Sequence, residues 1–278
     1  MSLNDAQQID RANAATERVP VVFVHGLWML PSSWDLWTAH FEAAGYAPVA
    51  LSWPDDADTV TEARQRPEAL AGKTVGRIAD HLAALVDTLE RKPAIIGHSV
   101  GGLLTQILAG RGLSAVSVAI DPVPFRGVLA LPLSTLRSLR PIIGNPANRK
   151  RALPLTFEQF RYAYANAVSE QEAKELYERY AVPAPCAPPF QAAAANINPR
   201  TEMKVDCRNP RRGPLLIISG EKDHAVPWAL ANGAYKKQRE NSGITEITEM
   251  AGRDHALTID SRWQEVADTA LTFVRRFV

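Results

Sequence analysis

Short apolar, β-branched runs alternate with amphipathic helical patterns along this chain of 278 residues. That alternation predicts a parallel sheet covered by helices. Residues 19–24 read as a buried strand that ends in His25-Gly26. A helix over 35–44 follows, with Ser32 or Ser33 to cap it and Gly45 to stop it. Residues 47–51 form the next strand. Ile78, Leu82, Leu85, Val86 and Leu89 then recur at helical spacing and put one apolar stripe on a helix over 74–90. Pro93 ends that pattern. A strand over 94–96, a helix over 100–110 and a strand over 115–120 complete the first half. In the second half, strands are predicted at 215–218 and 244–248, with a closing helix over 262–275. The expected sheet has about six strands.

The rhythm breaks between Asp121 and Pro199, where eleven of the 20 prolines lie. Thr156-x-x-Gln159 and Ser169-x-x-Glu172 read as capping boxes, starting helices over 157–168 and 170–180. Short helices tied by proline turns and inserted between core strands predict a cap. The expected division is a core of 19–121 and 199–278, a helical cap of 122–198 and a polar N-terminal tail of 1–18.

Composition narrows the classes. Hydrophobic residues make up 46% of the chain, enough for a buried core. The 31 basic and 30 acidic residues leave a formal charge of +1, which gives no long-range field for nucleic acid or an anionic membrane. Residues 1–18 carry neither a signal-peptide core nor a membrane span, so a cytoplasmic protein without membrane insertion is expected. Two cysteines, Cys186 and Cys207, make no disulfide scaffold, and free thiols are expected. The sequence does not give the oligomeric state.

Gly97-His98-Ser99-Val100-Gly101 fits G-x-S-x-G, with a strand running in and a helix running out. Such a turn lifts Ser99 out of the sheet at the positive end of a helix. A serine hydroxyl needs a base. Of six histidines, His40 and His81 fall in helices, His98 should point away from Ser99, His224 abuts Asp223, and His25 shapes a turn. His255 remains, in the loop between the last strand and the last helix, on the rim that also carries Ser99. Asp223, just past the strand at 215–218, is the first choice for the acid that orients His255, and Asp121, at the end of 115–120, is the competing carboxylate. Backbone N–H groups of Val100 and Leu27 are expected to hold an oxyanion.

With these motifs the chain resembles the α/β-hydrolase superfamily. The likeness spans the His-Gly loop, Gly97–Gly101, Gly220-x-x-Asp223 with Val226-Pro227, and Gly252-x-x-His255. It implies an α/β-hydrolase fold and the triad order Ser99, Asp223, His255. Serine at 99 argues against haloalkane dehalogenases and epoxide hydrolases, which use aspartate. The resemblance implies mechanism much better than substrate; the leading expectation is a carboxylic-ester hydrolase working through an acyl-enzyme on small to medium apolar esters, and with no H-E-x-x-H or comparable ligand cluster no metal or cofactor is implied. The same triad would also suit perhydrolase, lactonase, thioesterase, C–C hydrolase or lyase chemistry, and a slow or non-catalytic ligand receptor is the alternative of a different class. Trp28, Phe125, Phe160, Tyr164 and Trp228 are the expected pocket residues; Phe157, Phe160, Tyr164 and Val168 form one apolar stripe on the helix over 157–168.

Overall fold

The computed structural model describes residues 3–278. In chain order the elements are α1 (Leu3–Ala14), β1 (Pro20–Val24), α2 (Asp35–Ala43), β2 (Ala47–Leu51), α3 (Val60–Gln65), α4 (Val75–Val86), β3 (Ala94–His98), α5 (Val100–Gly110) and β4 (Val116–Ile120). Then come α6 (Leu133–Ile143), β5 (Ala152–Leu153), α7 (Phe157–Ala163), α8 (Glu170–Tyr180), β6 (Ala184–Pro185) and α9 (Ala187–Ala194). The chain closes with β7 (Leu215–Gly220), α10 (Trp228–Gln238), β8 (Thr245–Met250) and α11 (Trp263–Val274).

Six strands form one parallel sheet in the order β2-β1-β3-β4-β7-β8. Side chains alternate across a strand, so each strand feeds two cores. Val22 and Val24 of β1 face Ile78 and Leu82 of α4 and Leu103 and Leu104 of α5. Val21 and Phe23 face Trp37 and Phe41 of α2 and Val266 and Leu271 of α11. The chain leaves β1 in one direction to β2 and in the other to β3. The carboxyl ends of β1 and β3 therefore flank the topological switch point, where open α/β sheets bind ligands. Pairing of Val24 with Gly97 sets the His-Gly loop beside the turn that carries Ser99.

The expectation of a polar tail over 1–18 is corrected for its described part; Met1 and Ser2 lie outside the described residues. Residues Leu3–Ala14 form α1, with Ile9 and Ala12 buried. The helix covers the open edge of β2 through side chains: Gln8 accepts from Ala50 N at 2.8 Å and Asp5 accepts from Ser52 N at 3.0 Å. A bare edge strand invites pairing with another chain, and here polar side chains satisfy it. A helix with so few apolar positions leaves little periodic signal.

Between β4 and β7, helices α6 to α9 and the β5–β6 ribbon gather over the carboxyl end of the sheet. The helix expected over 157–168 stops at Ala163. There the chain turns to bond the loop around His255: Ala256 N donates to Tyr164 O at 2.8 Å, and Ala167 N donates to the Asp254 carboxylate. Those bonds take Val168 off the helix, so the four-residue stripe is not one helical face.

Candidate active site

Ser99 sits between β3 and α5 with φ 57° and ψ −118°. This is a conformation that side-chain-bearing residues rarely adopt, and it persists only where the surroundings fix it. Ser99 N donates to Ile120 O at 2.9 Å, and Ser99 O accepts from Leu103 N and Val123 N. The glycines are required by proximity: a Cβ on Gly101 would lie 2.1 Å from Val24 O, and one on Gly97 would lie 2.2 Å from Gly101 O.

His255 Nε2 lies 2.9 Å from Ser99 Oγ, and its Nδ1 lies 2.6 Å from Asp223 Oδ2. All three side chains are buried. The Asp223 carboxylate is itself held: Oδ1 accepts from Ala225 N at 2.7 Å and from Val226 N at 2.8 Å. Asp121 lies behind it, with Oδ2 at 3.8 Å from His255 Nδ1 and Oδ1 accepting from Gly220 N at 2.7 Å. Burial, reinforced by the Asp223 charge, pushes the Asp121 carboxyl well above the ordinary range. Two carboxyl groups this close do not both ionise readily.

Leu27 and Val100 border the same cavity as Ser99 and His255. Among the described residues their backbone N–H groups meet no acceptor. The Tyr164 hydroxyl donates to Leu27 O at 2.7 Å, and its ring stands edge-on to His255 at 4.7 Å. Burial holds this phenol in its protonated form. Beneath the loop, His25 Nε2 pairs with Asp56 Oδ2 at 2.9 Å and its ring stacks on Trp53. Lys73 reaches Asp56 Oδ1 at 3.5 Å from a fully buried position. His25 thus anchors the loop and stays out of the cavity.

The cavity has a volume of about 360 Å³, within the range of small-molecule sites. Of the five residues proposed for the pocket, Trp28, Phe125 and Tyr164 border this cavity. Phe160 and Trp228 do not. Phe160 is fully buried, stacked at 5.2 Å on the Tyr164 ring, so it supports the wall without forming it. Trp228 begins α10 half-buried, and the inward positions are Val226 and Leu230. Sequence reasoning missed Val128, Leu136, Leu139, Leu155 and Ala192, which supply much of the apolar wall. Leu136, Leu139 and Ile143 recur at near-helical spacing, a signal hidden by Pro141 inside α6.

His98, the residue before Ser99, is buried beside His255. Its ring packs 4.5 Å from that of His255, and burial, then the neighbouring His255, hold its pKa well below the usual imidazole value. His98, Asp121 and His255 bring three ligand-type atoms within 4.8 Å of one another. His255 has both nitrogens engaged by Ser99 and Asp223, so it would join a metal only by leaving those bonds. Cys186 and Cys207 are free and buried, and burial pushes both thiols up to about 11. Among the described residues no helix is long and apolar enough to cross a membrane.

A family model described as "Alpha/beta hydrolase family" matches residues 21–269. The chain belongs to the alpha/beta hydrolase family. Solved members of similar shape include an extracellular alpha/beta-hydrolase from a Paenibacillus species (18% identity, TM-score 0.66, covering 91% of this chain and 98% of that one). A monoacylglycerol lipase from Paleococcus ferrophilus is 17% identical with TM-score 0.63, covering 93% and 95%. A methylesterase from Arabidopsis is 14% identical with TM-score 0.65, covering 92% and 99%. At these identities the likeness establishes the shared hydrolase fold. No curated protein matches the sequence.

Proposed function

We propose that this alpha/beta hydrolase is a serine carboxylic-ester hydrolase acting on small to medium apolar esters. The observation that carries the reading is the unbroken hydrogen-bonded line Ser99–His255–Asp223 opening on an apolar cavity. Ser99 Oγ attacks the ester carbonyl carbon while His255 Nε2 takes its proton. Asp223 holds the imidazole so that Nε2 faces Ser99, and stabilises the imidazolium that forms. The carbonyl oxygen becomes an oxyanion, met by the N–H groups of Leu27 and Val100 at the positive end of α5. The tetrahedral adduct collapses, the C–O bond to the leaving alcohol breaks, and His255 returns the proton to that alcohol. Water then repeats the sequence on the acyl-enzyme, releasing the acid and restoring Ser99.

The test is a panel of p-nitrophenyl esters of increasing acyl length, with thioesters, lactones and peracid formation assayed alongside. The proposal predicts turnover of the short and medium esters above the other classes. Preferential thioester or lactone turnover, or no ester turnover by a folded protein, would contradict it.

A further inference from the structure

Four large aliphatic side chains stand almost fully in solvent: Leu129 (79% exposed), Leu131 (70%), Leu133 (83%) and Ile197 (84%). They share one place. Leu129 and Leu131 border the mouth of the cavity that holds Ser99. Leu133 opens α6, whose Thr135, Leu136 and Leu139 line the same cavity. Ile197 follows Asn196, also on the rim, whose side chain bonds Val128 O at 2.8 Å and Gly127 N at 2.7 Å. Isolated exposed aliphatics are ordinary, but a cluster beside a binding cavity marks a surface that meets something apolar.

The chain segment that carries most of this rim is cationic. Residues 122–157 contain Arg126, Arg137, Arg140, Arg149, Lys150 and Arg151 and not one aspartate or glutamate. All six are exposed. Among the described residues none of them forms an ion pair, although ion pairs occur widely over the rest of the chain. The near-zero charge of the whole chain conceals this segregation. Unpaired cations beside unpartnered leucines are the two halves of an interfacial surface: apolar side chains enter the acyl boundary and cations sit among anionic headgroups.

We propose that the rim of the cavity docks on the surface of an anionic phospholipid bilayer, with Leu129, Leu131, Leu133 and Ile197 dipping into it. The cavity mouth then opens at the lipid boundary, so an apolar substrate passes from bilayer to Ser99 without crossing water. That last consequence rests on the ester-hydrolase reading; the docking itself does not. A second copy of the chain is a poorer occupant, because a two-fold contact would set the same unpaired cations against one another. Nucleic acid would engage the cations and leave the leucines unexplained.

Vesicle flotation tests this on the full chain, with phosphatidylcholine vesicles and phosphatidylcholine–phosphatidylglycerol vesicles at low and raised salt. The Ser99→Ala protein is run in parallel, so that loss of catalysis is separated from loss of docking. Wild type and Ser99→Ala should both bind anionic vesicles, bind neutral ones much less, and be released by salt. Leu133→Ser with Ile197→Ser, which removes apolar area from the lipid boundary, and separately Arg140→Glu with Lys150→Glu, which turns attraction to anionic headgroups into repulsion, should each lower binding to anionic vesicles by at least about tenfold. None of these four side chains lines the cavity, so hydrolysis of a short water-soluble ester and the melting temperature should stay at wild-type values. Equal binding to neutral and anionic vesicles, no vesicle binding, or undiminished binding by the charge-reversed variant would overturn the proposal. So would a wild-type dimer that Leu133→Ser with Ile197→Ser converts to monomer.

Discussion

Asp223 and Asp121 present their Oδ2 atoms to the same ring nitrogen of His255, Asp223 at 2.6 Å and Asp121 at 3.8 Å. The two carboxyl groups differ in their partners. Asp223 Oδ1 accepts two backbone N–H groups, which fix the carboxylate against His255. Asp121 has one such bond and is pushed toward its neutral form by burial and by Asp223. An asparagine is a close stand-in for a neutral acid and a poor one for a carboxylate that fixes a tautomer. Asp223→Asn should therefore lower kcat about 10³- to 10⁴-fold, and Asp121→Asn by less than about tenfold. Steady-state kinetics on both folded variants decide between them, and a deeper loss for Asp121→Asn would transfer the acid's role to that residue.

Tyr164 joins the loop before Trp28 to the neighbourhood of His255. Its hydroxyl fixes Leu27 O at 2.7 Å, and Leu27 supplies an oxyanion donor in the proposed mechanism. Tyr164→Phe keeps the ring against His255 and frees that carbonyl. The expected result is a fall in kcat of about tenfold, the equivalent of about 1.4 kcal/mol, with KM nearly unchanged. A change in KM alone would make the hydroxyl a substrate contact.

Phe160 and Phe125 separate packing from selection. Phe160→Ala removes a buried ring under Tyr164 and should destabilise by about 3–5 kcal/mol, with similar losses of activity for every ester length. Phe125→Ala enlarges the cavity wall itself and should move the preferred acyl length upward. Melting curves and the ester panel together read both outcomes.

Stability should carry a pH signature at Asp254. Burial pushes this carboxyl up to about 6, against 3.8 for the free group. A raised folded-state pKa gives stability that is present below the unfolded value and lost as pH rises through the folded one. Relative to Asp254→Asn, wild type should lose stability between about pH 4 and pH 6. Melting temperatures of the pair across that window provide the check, and a gap that widens in favour of wild type as pH rises would reverse the sign.

The sheet and the Ser99 turn were legible because local constraints wrote them into the sequence. Gly97 and Gly101 are needed wherever strand and helix pass so closely, and the parallel strands are continuous apolar runs. What faces the cavity was only partly legible. Phe160 and Tyr164 share a spacing, yet the bonds of Tyr164 O and Ala167 N to the His255 loop end the helix between Ala163 and Val168. Asp56 and Lys73 lie in loop sequence, and their join to His25 exists only in three dimensions. Helix α1 was missed because polar bonds to the edge of β2, more than an apolar stripe, hold it in place.

The central claim is that Ser99 is the nucleophile. Intact-protein mass spectrometry with a fluorophosphonate probe tests it most directly, because the probe stays covalently bound to an activated serine. Wild type should take up one adduct, and digestion should place it on Ser99. Ser99→Ala should take up none and lose nearly all ester turnover while keeping its melting temperature. An adduct that forms at the wild-type rate in Ser99→Ala, or one mapped to another residue in wild type, would contradict the account.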